Sequence, residues 1–342
     1  MESITIKDVA RICGVGVSTV SRAINNHPDI NSETKEMVMR VIREHNYIPN
    51  NSARNLKRSD SKTIAVLIKG ISNPFFSEMI RILEREIQKK KYSFVLHRVE
   101  DEEDEVDVAL ELVKEKRLKG IIFLGGFFSD RQEKLGQLEV PFVLTTIGVP
   151  DQEGSGLYPS VSVDDYAESY KMVDYLCGLG HKRILILAAR ADDESIGKLR
   201  LEGYRRALRD RGIEPDEKLC VYMREDLESY SMENGYASMK SALERGLDFT
   251  AVYAISDSVA IGACRAIFDA GKRVPEDYSV AGFDGLDIAN YYNPTLTTMR
   301  QPVEEMAYAA SKLLFRLIRQ EGKPKRQVFP AELVVGSSTR RV

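Results

Sequence analysis

The chain has 342 residues, 43% of them hydrophobic and 30% charged, a composition that fills two or three domains with buried cores and excludes a disordered polymer. No stretch approaches the ~18 consecutive apolar residues of a membrane span, and the N-terminal MESITIKDVA lacks the charged-then-apolar order of a secretion signal, so the expected compartment is the cytoplasm. The net charge of −3 does not by itself suggest a nucleic-acid surface, but residues 1–60 hold nine Lys and Arg against seven Asp and Glu, and the remainder holds 40 against 45. A mildly basic head on an acidic body fits a small DNA-binding module joined to something else. Such a head binds feebly alone, because affinity grows with the number of phosphates neutralised, so pairing of two heads is expected.

The head is read from Thr5 to Asn26, TIKDVARICGVGVSTVSRAINN. Ile6, Val9, Ala10 and Cys13 fall at i, i+3, i+4 and i+7, one face of a helix. Thr5 with Asp8 forms a capping-box pattern at its start. After the turn Gly14-Val15-Gly16, a second helix from about Val17 to Asn25 turns Val20, Ala23 and Ile24 toward the first. Its other stripe is Val17, Ser18, Ser21, Arg22 and Asn25. That stripe is short and polar with one guanidinium, which suits a helix lying in a DNA major groove. The unit reads as a helix-turn-helix. A third helix follows, capped near Ser32, with Met37, Val38, Val41 and Ile42 inward, and Tyr47-Ile48-Pro49-Asn50 stops it. Residues 1–48 are therefore assigned to an all-α head.

Asn50 to Arg58, NNSARNLKR, is too short to be a stable helix alone in water. It reads as a linker or as a hinge helix that orders only when paired on DNA, and residues 49–61 are set apart as that segment. From residue 62 the pattern alternates short apolar runs with helical periods to the C-terminus. Strand–helix alternation implies parallel sheets with right-handed crossovers. The length is too great for one sheet core, so two doubly wound α/β lobes are expected, with ligands bound beyond the carboxyl ends of their strands. The four cysteines, at 13, 177, 220 and 264, form no C-x-x-C and have no His at zinc-ligand spacing. They read as buried thiols, and no metal, disulfide framework or cofactor is expected.

Seven segments together resemble the LacI/GalR family of bacterial transcriptional repressors. They are the head TIKDVARICGV-x-x-STVSRAIN, the hinge YIPN-x-x-AR-x-L, ISNPFF at 71–76, LGHKRI at 179–184, RLEGY at 200–204, RVPEDYSVAGFD at 273–284, and P-x-LTT-x-RQPVEEM at 294–306. They cover almost the whole chain in the family's order. The resemblance implies a DNA-binding head, a hinge helix and a two-lobed core like that of periplasmic sugar-binding proteins. The chain would cross between lobes near Ser162, Asn293 and Gln327, giving a first lobe of about 62–162 and 294–326 and a second of about 163–293 and 327–342.

The resemblance also implies sites. Val17, Ser18 and Arg22 match positions that touch base edges, and a guanidinium suits guanine O6 and N7 bidentately. Leu56 matches the hinge leucine that wedges into the minor groove at the operator centre. Thr5, Thr19, Ser21, Asn25, Asn50 and Arg54 match backbone contacts that set register. A symmetric homodimer on a near-palindromic operator follows. In the core, Asp165, Arg200 and Asp284 match positions that hold a sugar effector, Tyr230 matches an aromatic that stacks on a sugar face, and Asn73 and Phe75 line the cleft mouth. The chain departs from the family at Lys69-Gly70, where members often have Pro-Asp, and at Ser256-Asp257, where many have Asn-Asp. Gly125-Gly126-Phe127-Phe128 maps to no ligand.

The expected function is a ligand-controlled DNA-binding repressor of carbohydrate-utilisation genes, and not an enzyme. Catabolite-control members of the family use a phosphocarrier protein as corepressor, the alternative to a small ligand. A sugar-modifying protein with an accessory DNA-binding head is the remote alternative; a sugar kinase of that kind would need a phosphate-binding glycine loop, and no P-loop, G-x-S-x-G or H-E-x-x-H is present. A sugar-binding transport component would need a signal peptide and would leave the head unexplained.

Overall fold

The structure is a computed structural model and describes residues 4–24, 26–45, 47, 62–100, 103–126, 128, 132–147 and 158–342. Contacts divide the chain into two units, Met1–Ser61 and Lys62–Val342. In the first, helices α1 (Ile6–Ile12), α2 (Val17–Ile24) and α3 (Ser32–Glu44) enclose a core of Val9, Ala10, Cys13, Val20, Ala23, Val38, Val41 and Ile42. The capping box forms at α1: the Asp8 carboxylate accepts from the Thr5 backbone N–H at 3.0 Å, and the Thr5 hydroxyl accepts from the Asp8 N–H at 3.4 Å. The cap of α3 is Asn31 rather than Ser32. Its side-chain oxygen accepts from the Glu33 N–H at 2.8 Å, and an Asn side chain reaches the N2 amide as well as a serine would.

The second unit begins with β1 (Thr63–Ile68), α4 (Phe75–Lys89), β2 (Ser93–Arg98), α5 (Glu105–Lys116), β3 (Gly120–Leu124), α6 (Gln132–Leu135), β4 (Phe142–Thr145) and β5 (Ser160–Val163). It continues through α7 (Asp165–Gly178), β6 (Ile184–Ala188), α8 (Ile196–Asp210), β7 (Cys220–Tyr222), α9 (Met232–Glu244), β8 (Ala251–Ala254), α10 (Asp257–Asp269), β9 (Ser279–Asp284), α11 (Asp287–Tyr291) and β10 (Thr297–Arg300). It ends with α12 (Val303–Ile318), β11 (Arg326–Phe329) and β12 (Glu332–Val334). The strands form two sheets, β11-β5-β4-β3-β1-β2 and β12-β10-β9-β8-β6-β7, parallel throughout except where β12 runs against β10. These are the two doubly wound lobes expected from the strand–helix alternation.

Both faces of the first sheet are covered. Ile64, Val66 and Ile68 of β1 join the core of α4 and α12, whereas Ala65 and Leu67 join that of α5, so successive residues feed opposite faces as a pleated strand requires. In the second lobe α7 packs with α8 and α9 with α10. The last pair approaches closely at Gly262: a Cβ there would sit on the Met232 carbonyl oxygen and 2.8 Å from the Tyr236 backbone nitrogen.

The first crossing between lobes falls where expected, near Ser162, and the second does not. The first follows β5, at Val163. The second does not fall near Asn293. Thr297–Arg300 pair in parallel register with Ala281–Asp284 of β9, so residues 294–300 stay with the second lobe and the chain leaves it only after Arg300. The third falls between Phe329 and Glu332, because β11 pairs with β5 and β12 with β10. Local apolar pattern marks a strand but not its neighbour, and the neighbour decides which lobe the segment joins.

Candidate functional site

Helix α2 presents Val17, Ser18 and Arg22 to solvent, with Thr19 and Ser21 half-buried and Val20 and Ala23 in the core. The sequence-derived stripe is therefore a real face: an apolar contact, a hydroxyl and a guanidinium in one row. Arg22 makes no ion pair with a described residue, and no acidic residue stands in the first turn of α2. Exposed Val17 has no role in the head's core. The Thr5 hydroxyl is engaged by Asp8, donating to its carboxylate at 2.5 Å. Asn25, Asn50, Arg54 and Leu56 lie outside the described residues.

In the second unit a cavity of about 370 Å³ opens beyond the carboxyl ends of β1, β3, β4, β6 and β9, with walls from both lobes. That is the position a doubly wound sheet gives its ligands. Asn73, Phe75, Arg200, Tyr230 and Asp284 all line it. Asp165 does not. It opens α7 and sits behind Arg200, each of them only 2% exposed.

Arg200 is held from every side. Its Nε and Nη2 donate to Asp165 Oδ1 at 2.9 and 2.8 Å, and its Nη1 donates to the Ile255 carbonyl. The guanidinium lies 3.7 Å from the centroid of the Phe283 ring, a cation–π contact in a desolvated setting. Burial works against its charge, but the Asp165 and Asp284 carboxylates hold it protonated far above neutral pH. Asp165 thus positions and neutralises the guanidinium, which in turn reaches the cavity.

Asp284 ends β9 with a backbone φ of 120°, a region that costs a non-glycine residue of order 1–3 kcal/mol. Its Oδ1 accepts from Gln301 Nε2 at 2.9 Å, and its Oδ2 accepts from Asn73 Nδ2 at 3.4 Å. The second of these bonds joins the two lobes. Burial pushes its carboxyl up to about 6, against the pull of Arg200 and of the Gln301 and Asn73 donors. Behind it, Asp257 accepts from the Thr298 hydroxyl at 2.6 Å and from the Leu286 N–H at 2.7 Å. Asp257 therefore fixes the loop that follows Asp284. Its burial, with Asp284 nearby, pushes its carboxyl to about 8.

Tyr230, also at positive φ (59°), donates its hydroxyl to Asp193 Oδ2 at 3.4 Å. Phe75 and Phe76 serve the cavity wall and the core together, being 4% and 8% exposed and packed edge to face. Lining residues not singled out from sequence include Glu105, Thr146, Asp193 and Gln301, and Lys69, noted there only as a departure from the family pattern, joins them. Gln301 stood inside the quoted RQPVEEM and Asp193 follows an apolar strand, so position offered a signal for both. Glu105, in a run of acidic residues at a helix start, carried none. Chemically, the cavity offers carboxylate acceptors, amide and guanidinium donors, and aromatic faces, the inventory that grips a hydroxyl-rich ring.

Comparison with known proteins resolves what these two units belong to. Residues 5–50 match the bacterial regulatory proteins of the lacI family, and residues 173–339 match a periplasmic binding protein-like domain. The HTH-type transcriptional regulator MalR of Clostridium butyricum is 42% identical over 331 residues, 96% of this chain and 97% of that protein. The chain belongs to the lacI family. It is a DNA-binding transcriptional regulator under the control of a small ligand. Among solved structures, a lac repressor dimer bound to operator and an anti-inducer superposes with a TM-score of 0.75 at 27% identity, over 99% of this chain and 100% of that one. A complex of the transcriptional regulator CelR with cellobiose gives 0.71 at 29% identity, over 98% and 99%. Like these relatives, this lacI-family member joins N-terminal helix-turn-helix helices to a two-lobed α/β core. Among the described residues no group of acidic, His or Cys side chains is placed to hold a metal ion, and no helix is long and apolar enough to cross a membrane.

Proposed function

We propose that this regulator works in the cytoplasm as a homodimer that represses carbohydrate-utilisation genes from a near-palindromic operator, and that a neutral sugar in the cavity controls it. Arg22 reads a base edge, Val17 and Ser18 assist, and Leu56 opens the operator centre. Thr19, Ser21, Asn25, Asn50 and Arg54 set register on the backbone, and Thr5 chiefly caps α1. In the cavity Arg200 and Asp284 grip ring hydroxyls, Asn73 and Gln301 share Asp284 with the ligand, Tyr230 and Phe75 cover the ring faces, and Asp165 holds Arg200 in place.

The observation that carries this reading is the buried Arg200–Asp284 pair turned into a cavity that also presents the aromatic surfaces of Phe75, Phe76 and Tyr230. The cavity is also rich in carboxylates: Glu105, Asp192, Asp193, Glu194, Glu228 and Asp284 outnumber Lys69 and Arg200. That field repels a phosphorylated ligand and favours an uncharged one. The related CelR complex contains cellobiose, which supports the class. A ligand acts here only through its different affinity for two lobe arrangements. Asp284 is suited to that role, because it bonds to Asn73 across the cleft and a ligand competing for that carboxylate changes the inter-lobe contact.

The test is a gel-shift titration with the chain's own upstream region at fixed salt, with and without sugars. Arg200→Ala should keep DNA binding and lose the sugar response. Affinity for a palindrome no better than for random DNA would end the repressor reading. An unchanged response in Arg200→Ala would end the site assignment.

A further inference from the structure

The two lobes end their helices on different residues. In the second lobe the chain leaves α7, α8, α9 and α10 through Gly180, Gly212, Gly246 and Gly271, all at positive φ. Glycine is the ordinary residue there, because a side chain crowds the left-handed backbone. In the first lobe the turns after α4, α5 and α12 hold Lys91 (φ 62°), Arg117 (φ 50°) and Gln320 (φ 57°). Lysine and arginine thus occupy strained positions where glycine would serve the turn better. A cation near a helix C-terminus is favoured by the helix dipole, but α4 already has Lys89 in its last turn, and α5 has Lys114 and Lys116.

Lys91 and Arg117 belong to a wider row. They precede β2 and β3, Lys62 precedes β1, and Lys325 precedes β11. These strands are parallel members of one sheet, so their amino ends share an edge. The Lys62 carbonyl accepts from the Ser93 N–H at 2.7 Å, and the Lys325 carbonyl accepts from the Ser160 N–H at 3.2 Å. Lys62, Lys90, Lys91, Arg117 and Lys325 are exposed and make no ion pair with a described residue. On the same edge of the second sheet Arg183 pairs with Asp216 and Asp248, Arg211 with Asp174, and Arg273 with Asp277.

We infer that the amino edge of the first lobe's sheet is a second DNA-binding surface, which neutralises backbone phosphates that the head leaves uncovered. This rests on DNA binding by the head and not on the identity of the operator or of the sugar. The chain enters the edge at Lys62 straight from segment 49–61, at most about 45 Å of extended chain, so DNA held by the head is tethered close to it. The head has only nine Lys and Arg against seven Asp and Glu, few charges for a polyanion whose affinity grows with the phosphates neutralised. Ammonium and guanidinium groups on an open edge meet phosphates without reading bases. The row therefore adds affinity for any duplex and leaves the choice of sequence to α2.

The experiment measures the affinity of the full chain, across a salt series, for two labelled duplexes of equal length, one from its own upstream region and one of random sequence. The test pair is Lys91→Gly with Arg117→Gly, which installs the second lobe's own turn residue. Its melting temperature should equal or exceed that of wild type. Its affinity for both duplexes should fall about three-fold or more at low salt, with the slope of log K against log salt shallower by about 1 or more. Lys62→Gln with Lys90→Gln removes two further cations of the row and should act alike. Lys182→Gln with Lys272→Gln removes the same net charge from exposed positions of the second lobe and should leave affinity and slope at wild-type values. Slopes unmoved in both first-lobe pairs overturn the inference. Equal losses in the second-lobe pair overturn it too, since net charge alone would then account for the effect. An upstream duplex bound no tighter than the random one ends the operator reading, and the slopes on either duplex still decide this one.

Discussion

Lowering the pH from 7 to 5 should weaken effector binding about ten-fold, because Asp284 takes up a proton in that interval. Its carboxyl is raised to about 6 chiefly by burial, so roughly nine-tenths of the empty protein carries the charged form at pH 7 and roughly one-tenth at pH 5. A ligand hydroxyl that donates to Asp284 binds the charged form, and the loss is the fraction no longer charged, close to 1.4 kcal/mol. The same shift acts on the empty protein with the opposite sign. A carboxyl raised from its ordinary 3.8 favours the folded state most below that value, and this stabilisation disappears as pH rises through about 6, a span of roughly 3 kcal/mol. Arg200 stays charged throughout. Calorimetric titration in two buffers of different ionisation enthalpy measures both affinity and protons released. Release should be near one proton at pH 5 and near zero at pH 7, and Asp284→Asn should flatten both profiles. A wild-type affinity constant between pH 5 and 7, or an equal slope in Asp284→Asn, would refute the assignment of Asp284 as the ligand's acceptor.

Arg22→Ala should cost roughly 1–3 kcal/mol of operator affinity, and Leu56→Ala a similar amount, since Gly16 and Val17 bring no side-chain donor to the DNA. Gel shifts of both variants compare them, and a negligible loss at Leu56 would return all discrimination to α2. Gly262→Ala drives a Cβ into the Met232 carbonyl and should destabilise the core by about 1–3 kcal/mol or more, read as a lower urea midpoint; wild-type stability would show that α9 and α10 separate freely. Asp257→Ala strips the Thr298 hydroxyl and the Leu286 N–H of their acceptor. It should cost about 2 kcal/mol and weaken effector binding through the loop at Gly285, with operator binding retained. Effector affinity equal to wild type would deny Asp257 that positioning role.

What the sequence determined by itself is local or strongly periodic. The capping box at Thr5, the inward Val20 and Ala23 and the outward Val17, Ser18 and Arg22 follow from helical spacing, and the structure puts each where that spacing requires. The strand–helix alternation likewise suffices for two parallel sheets, because a parallel strand can be reached only by a crossover. Tertiary structure decided what depends on neighbours distant in sequence. Whether Thr297–Arg300 belongs to one lobe or the other rests on its pairing with β9, and no pattern within those residues encodes it. Asp165 and Arg200 match a ligand-holding pattern equally well, yet burial places one behind the other. Asp257 works through a loop more than 25 residues away. Glu105 is unremarkable in sequence, and Gly125 and Gly126 have no assigned role, until the sheet brings them to Lys69, where a buried carboxylate must find both a cation and the space that an absent Cβ leaves.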